Sequence, residues 1–103
     1  MKKLEVVMTS NLQQQIDPDL CGSLLVILIP LFAQYPCDMF IVEPGQNNKL
    51  QIRLAGYSFI TNELDEETVI ARTNLVVKNN VIWFKVDDYQ NRYVGTLLLP
   101  EDY

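Results

Sequence analysis

The C-terminal third of the chain carries the strongest folding constraint, because two strand-like runs flank the dipeptide Asn79-Asn80. The runs cover residues 68–78 and 81–87, and both have the composition of β-strands. Asparagine tolerates positive φ, so Asn79-Asn80 predicts a two-residue hairpin turn. A second turn at residues 88–91 returns the chain along residues 92–99. The pattern therefore predicts a three-stranded antiparallel meander.

The two turns also predict which side chains oppose each other across the meander. Phe84 faces Gly95, which leaves room for the phenylalanine ring on the neighbouring strand. Asp87 then lies between Arg72 and Arg92, and opposite charges on neighbouring strands favour this register. The meander acquires one core face and one face of mixed character.

The mixed face is too apolar for free exposure and too polar for a complete core. It holds Trp83, the single tryptophan of the chain. An apolar patch with a tryptophan and a charged rim has the composition of a protein interface. The residues that we expect to form this interface are Val76, Val81, Trp83, Lys85, Val94 and Leu98.

The segment 20–34 is nearly all apolar, so its periodicity does not separate a helix from a strand. Asp17-Pro18-Asp19 precedes it with a capping acid, a proline suited to the first helical position and a second acid that favours the helix dipole. We therefore predict a buried helix that Pro30 should kink, with a central strand ended by Pro30 as the alternative. A strand over residues 3–9 should precede the helix, and Ser10 would cap a short helical turn between them.

Residues 39–43 and 49–54 read as two further strands joined by a turn-rich connection. Pairing Glu43 with Lys49 aligns both charges and apolar side chains, which predicts Phe40 opposite Ile52. The elements together predict a single α+β domain over residues 1–103. Its core is an antiparallel sheet of five or six strands, with the C-terminal meander and one buried N-terminal helix packed on a face.

Composition excludes several functional classes. The absence of histidine excludes Ser-His-Asp and Cys-His catalysis and histidine-ligated metal sites. The net charge of −5 argues against direct nucleic-acid binding, which needs clustered cations. Cys21 and Cys37 do not form a metal site by themselves and are expected to be reduced, partly buried thiols. We expect no cofactor and no bound metal.

The most concentrated charge is an acidic run between two cations, Arg53 and Arg72. Its usual role is a solvated connection, and the alternative is an acidic patch that faces a partner or holds a cation. The residues of this acidic patch are Glu63, Asp65, Glu66 and Glu67. The most apolar run, residues 24–33, is about half of the ~20 residues that span a bilayer, so a cytoplasmic protein is expected.

These patterns predict a non-enzymatic protein-interaction module: a small adaptor, inhibitor or regulatory subunit. We expect it to self-associate through the Trp83 face, because a twofold homodimer is the commonest assembly. The alternative is a small-molecule-binding or sensor domain. In that case residues 24–32 and the sheet would enclose an apolar pocket, with polar contacts from Tyr57, Tyr93 or Arg53.

Two further classes stay open. An acidic mimic of nucleic acid would need a contiguous strip of carboxylates formed by Glu63, Asp65, Glu66, Glu67, Asp87 and Asp88. An enzyme would have to use carboxylates or a tyrosine, and no spacing in the sequence points to a reaction.

Overall fold

A computed structural model describes residues 2–64, 68–76 and 81–103. Two helices lie on one face of a six-stranded mixed sheet, which has the order β1-β6-β5-β2-β3-β4. The elements are β1 (Lys3–Met8), α1 (Ser10–Gln15), α2 (Pro18–Gln34), β2 (Met39–Pro44), β3 (Lys49–Leu54), β4 (Val69–Val76), β5 (Ile82–Asp88) and β6 (Arg92–Leu98). The predicted α+β class is confirmed.

The sheet is mixed because β1 runs parallel to β6, whereas every other neighbouring pair is antiparallel. The purely antiparallel sheet predicted from the sequence is therefore wrong in this detail. Parallel neighbours need a long connection, and here most of the chain separates the two strands. Local alternation in residues 3–9 contains no information about so distant a partner.

The predicted C-terminal meander is wrong, because β4 and β5 are not neighbours. Strand β5 pairs with β2 and β6, while β4 pairs with β3 at the edge of the sheet. The Phe40 and Phe84 rings, on β2 and β5, lie 5.9 Å apart and are fully buried. Apolar burial thus favours β2 beside β5 and leaves the more polar β4 outside. The dipeptide Asn79-Asn80 itself lies outside the described residues.

The predicted β2–β3 and β5–β6 hairpins both form, but their registers are shifted by two residues from the predicted ones. Phe84 faces Leu97 instead of Gly95, and Phe40 faces Leu54 instead of Ile52. A shift of two residues keeps every side chain on its predicted face, because side chains alternate with period two.

The helices begin where their capping residues allow. The Asp17 carboxylate accepts a hydrogen bond from Asp19 N at 2.8 Å, and α2 then continues through Pro30 to its end. The helical interpretation of residues 20–34 is confirmed. The cap of α1 is Thr9 and not Ser10, since Thr9 Oγ1 accepts from Leu12 N at 3.3 Å.

The core lies between α2 and the sheet. Leu24, Leu28 and Phe32 of α2 are buried, and the Phe32 ring lies 6.4 Å from Phe40 and 5.0 Å from Tyr93. Leu12 of α1 and Ile16, which directly follows α1, belong to the same cluster. Both helices therefore pack on one face of the sheet. Within the described residues, no α-helix or strand covers the opposite face.

Candidate interaction surface

The sheet face turned away from the helices is the open face, and its centre is a row of three apolar side chains. Trp83 on β5 lies between Ile41 on β2 and Leu98 on β6. Trp83 is half-buried and points away from the core, because its neighbour Phe84 is the residue that faces the helices. Leu98 is 5% exposed although it lies outside the main core cluster, so it supports the row from beside Trp83 and adds little accessible surface to it.

Further apolar side chains extend this row. Alternation along each strand places them outward, since their neighbours in sequence belong to the core. Met39 on β2 pairs with Lys85 on β5, and Val7 on β1 pairs with Thr96 on β6. Apart from the edge strand β4, the strands of the sheet contribute six apolar side chains to the open face. These are Val7, Met39, Ile41, Trp83, Val94 and Leu98.

The end of the chain covers one edge of the tryptophan. Tyr103 follows a short 3-10 turn and packs edge-on against Trp83, with ring centroids 5.7 Å apart. The turn is held by Asp102, whose carboxylate accepts from Thr9 Oγ1 at 2.7 Å and Asn11 Nδ2 at 2.9 Å. These bonds, with a smaller contribution from Leu99 N, lower the pKa of Asp102. Tyr103 itself remains mostly exposed.

Ion pairs neutralise much of the charge around the central row. Arg53 makes a bidentate pair with Glu43 at 3.0 and 3.1 Å, and this pair lowers the pKa of Glu43. Lys85 Nζ lies 3.6 Å from Asp87 Oδ1 on the same strand. Salt bridges of this kind contribute little to stability but reduce the net charge that a partner would meet.

The predicted position of Asp87 between two arginines is wrong. Arg72 lies on β4, which β2 and β3 separate from β5. Arg92 Nε lies 3.3 Å from Glu5 Oε2 on the neighbouring strand β1. The position of Arg72 follows from a strand order that the local turn pattern did not identify. Arg92 does not face Asp87 because the β5–β6 register is shifted by two residues, which places Val94 opposite Asp87.

The structure brings together four of the six residues predicted for the interface: Trp83, Lys85, Val94 and Leu98 lie on the adjacent strands β5 and β6. Val81 is half-buried directly before β5, whereas Val76 is exposed on the distant strand β4.

Sequence reasoning missed Ile41 and Met39, because β2 was not expected beside β5. Their outward position could have been found from the alternation with the apolar residues Phe40 and Val42.

The acidic run is only partly described. Glu63 is exposed, and its backbone oxygen accepts from Ser58 N at 2.9 Å. Asp65, Glu66 and Glu67 lie outside the described residues. In the described part of the chain, no group of three or more cysteine and carboxylate side chains is placed to hold a metal ion.

The space predicted for a ligand between helix and sheet is occupied by packed side chains of the core. The Tyr93 ring contacts Phe32 there, while Arg53 lies on the open face and Tyr57 is exposed. A different cavity of about 240 Å³ opens where α1, α2 and the end of β1 meet. It is lined by Met8, Gln13, Ile16, Pro18, Cys21, Gly22 and Leu25.

Cys21 borders this cavity, and no disulfide joins it to Cys37. Burial of Cys21 raises the pKa of its thiol, and the negative charge of Asp17 adds to this effect. The thiolate that would act as a nucleophile is therefore disfavoured.

Comparisons with protein-family models, curated protein sequences and solved structures found no match. Among the described residues, no helix is long and apolar enough to cross a membrane.

Proposed function

We propose that this chain is a non-enzymatic protein-interaction module that docks a partner through the open face of its sheet. The observation that carries the proposal is Trp83, half-buried between Ile41 and Leu98 on a face that no α-helix or strand of the described residues covers. Tryptophan in an apolar centre with a charged rim is typical of residues that dominate binding energy at interfaces. The lack of histidine is in keeping with a role that needs no acid–base catalyst.

We propose a second copy of the chain as the partner. The central row is flanked by the internal ion pairs Glu43–Arg53 and Lys85–Asp87, so two such faces can approach without strong repulsion between like charges. A twofold arrangement would place each central row against its symmetry mate, which buries the apolar side chains of both. The predicted cytoplasmic location stays a prediction.

The test is the oligomeric state of the purified chain, measured by native mass spectrometry and light scattering. Trp83→Ala and Ile41→Asp should each convert the assembly to monomer, because they remove apolar area from the central row or introduce a charge there. Val26→Asp is the matched control, since Val26 is 74% exposed on α2 at the opposite side of the molecule.

The outcomes separate three possibilities. A dimer that survives Trp83→Ala and Ile41→Asp but not Val26→Asp assigns self-association to α2 and removes the open face from it. A wild-type chain that stays monomeric at high concentration removes the second copy as partner. Circular dichroism of each variant verifies that the fold is retained.

A second candidate function is the binding of a small apolar molecule, and the cavity beside Cys21 favours it. Its volume of about 240 Å³ and its lining of Met8, Ile16 and Leu25 suit a ligand smaller than a typical drug. Saturable shifts of the Met8 methyl signal during a titration with indole would support this function. A linear drift of that signal would contradict it.

A further inference from the structure

One group of cations has no carboxylate beside it among the described residues. The described residues include seven lysines and arginines, of which Lys2, Arg53, Lys85 and Arg92 lie within an ion-pair distance of a carboxylate. Lys3, Lys49 and Arg72 have no such partner among the described residues. Lys3 lies on the edge strand β1, whereas Lys49 and Arg72 line the same cavity.

This cavity has a volume of about 150 Å³ and lies between the β2–β3 turn and the edge strand β4. It is lined by Gly45, Gln46, Asn47, Lys49, Gln51, Arg72 and Thr73. One water molecule occupies roughly 30 Å³ of liquid, so the space admits a small ion with a few waters. Among the residues that the structure describes, this lining contains no carboxylate, although the chain has 13 acidic residues against 8 basic ones.

An irregularity of the sheet forms the cavity. Gln51 pairs with Arg72 and Lys49 pairs with Val76, so a two-residue step of β3 faces a four-residue step of β4. The surplus residues interrupt the ladder at this point, as in a β-bulge, which re-aims side chains. Thr73 Oγ1 donates to Leu50 O at 2.9 Å and fixes β4 across the irregular step.

The neighbouring groups of the cavity are already engaged. Gln51 Nε2 donates to Glu43 Oε2 at 3.0 Å, and Glu43 is in turn neutralised by Arg53. A Cβ atom at Gly45 would lie 2.8 Å from Gln51 Oε1, so glycine permits the close approach of the turn to β3. Within residues 2–64, 68–76 and 81–103, the guanidinium of Arg72 and the ammonium of Lys49 are therefore the groups of this cavity left without an opposite charge.

We propose that the Lys49–Arg72 cavity is a binding site for a small oxyanion, either a phosphate or a carboxylate group. A guanidinium presents paired N–H donors that match either oxyanion, and an ammonium beside it adds a second charge. The site is independent of the proposed function, because the central row of the open face lies on other strands. A bound anion would neutralise two cations that have no carboxylate partner in the described part of the chain.

The experiment is a titration of the ¹⁵N-labelled chain with sodium phosphate, and separately with sodium acetate, at constant ionic strength. We expect saturable shifts confined to the Arg72 Nε signal and to the backbone amides of residues 45–51. Saturation by phosphate alone assigns the site to phosphate groups, and saturation by acetate alone assigns it to carboxylates.

Charge-matched variants test the assignment. Arg72→Gln and Lys49→Gln should each weaken binding about tenfold or more, because each removes a charged hydrogen-bond donor. Lys3→Gln removes the same charge from the far edge of the sheet and should leave the affinity unchanged. Shifts that never saturate, or an equal loss of affinity in Lys3→Gln, would overturn the proposal. All three side chains are exposed, so the variants are expected to fold.

Discussion

The Tyr103 ring lies edge-on against the Trp83 indole, at an interplanar angle of 68°. This contact joins the end of the chain to the centre of the open face. It is positioned from a distance, because the turn before Tyr103 is tied by Asp102 to Thr9 and Asn11 near the start of α1. The accessibility of Trp83 therefore depends on a polar contact that lies outside the sheet.

Replacing Tyr103 with alanine should expose more of the Trp83 indole, because one edge of the indole loses its aromatic neighbour. The expected result is a red-shifted tryptophan emission and faster quenching by acrylamide. Trp83 is the only tryptophan, so the signal reports this site alone. Tyr89→Ala is a suitable control, since Tyr89 is exposed near the β5–β6 turn. An unchanged quenching rate in Tyr103→Ala would contradict the contact.

The Asp102 contact should respond to acid. Folding lowers the pKa of Asp102, so its ionised form stabilises the turn at neutral pH, and this contribution is lost as the pH falls below about 4 toward the folded-state value. Trp83 emission should change in that range. The change should be absent in Asp102→Asn, which has no carboxyl group to titrate. Circular dichroism on the same samples separates a local release from global unfolding. An identical pH profile in Asp102→Asn would refute the assignment.

Two glycines should respond in opposite directions to the same substitution. A Cβ atom at Gly95 would lie 2.7 Å from Cε1 of the fully buried Phe84, so Gly95→Ala should lower the free energy of unfolding by about 1–3 kcal/mol. A Cβ atom at Gly22 would meet nothing within 4 Å, so alanine in this helix should raise it by about 0.5–1 kcal/mol.

Urea denaturation of both glycine variants and of the wild type measures these changes in the free energy of unfolding. Equal effects at the two positions would show that the Phe84 ring does not restrict Gly95.

The Cys21 thiol should react slowly in the folded protein. It is 2% exposed, and burial raises its pKa, so little thiolate is present or accessible at neutral pH. Iodoacetamide should label Cys21 far more slowly in the folded chain than in urea, with mass spectrometry of the peptides as the readout. Labelling of Cys21 in the folded protein at the rate of a free peptide thiol would contradict this packing.

Side-chain direction was the part of the fold most accessible from the sequence. The contrast between Phe84 and Trp83 depends only on the alternation within one strand, so it was predicted correctly although the strand has other neighbours than expected. The start of α2 was equally local, because Asp17 and Pro18 define it through bonds to adjacent residues.

The neighbours of each strand were not accessible in the same way. Val76 was expected near Trp83, and it lies on β4 because β2 and β3 occupy the positions between the two strands. Ile41 was not expected there, although it is a direct neighbour of Trp83. The cavity between Lys49 and Arg72 likewise depends on the pairing of β3 with β4 and on its irregular step.

The sequence by itself determined the strands, the side of each strand that turns inward and the capping signal at Asp17, since these depend on the period of side chains and on groups close in the chain. Only the tertiary structure decided which strands lie side by side, which cations find a carboxylate and which apolar residues surround the indole. Such contacts join residues far apart in sequence, and they depend on how much apolar surface each arrangement buries over the whole molecule.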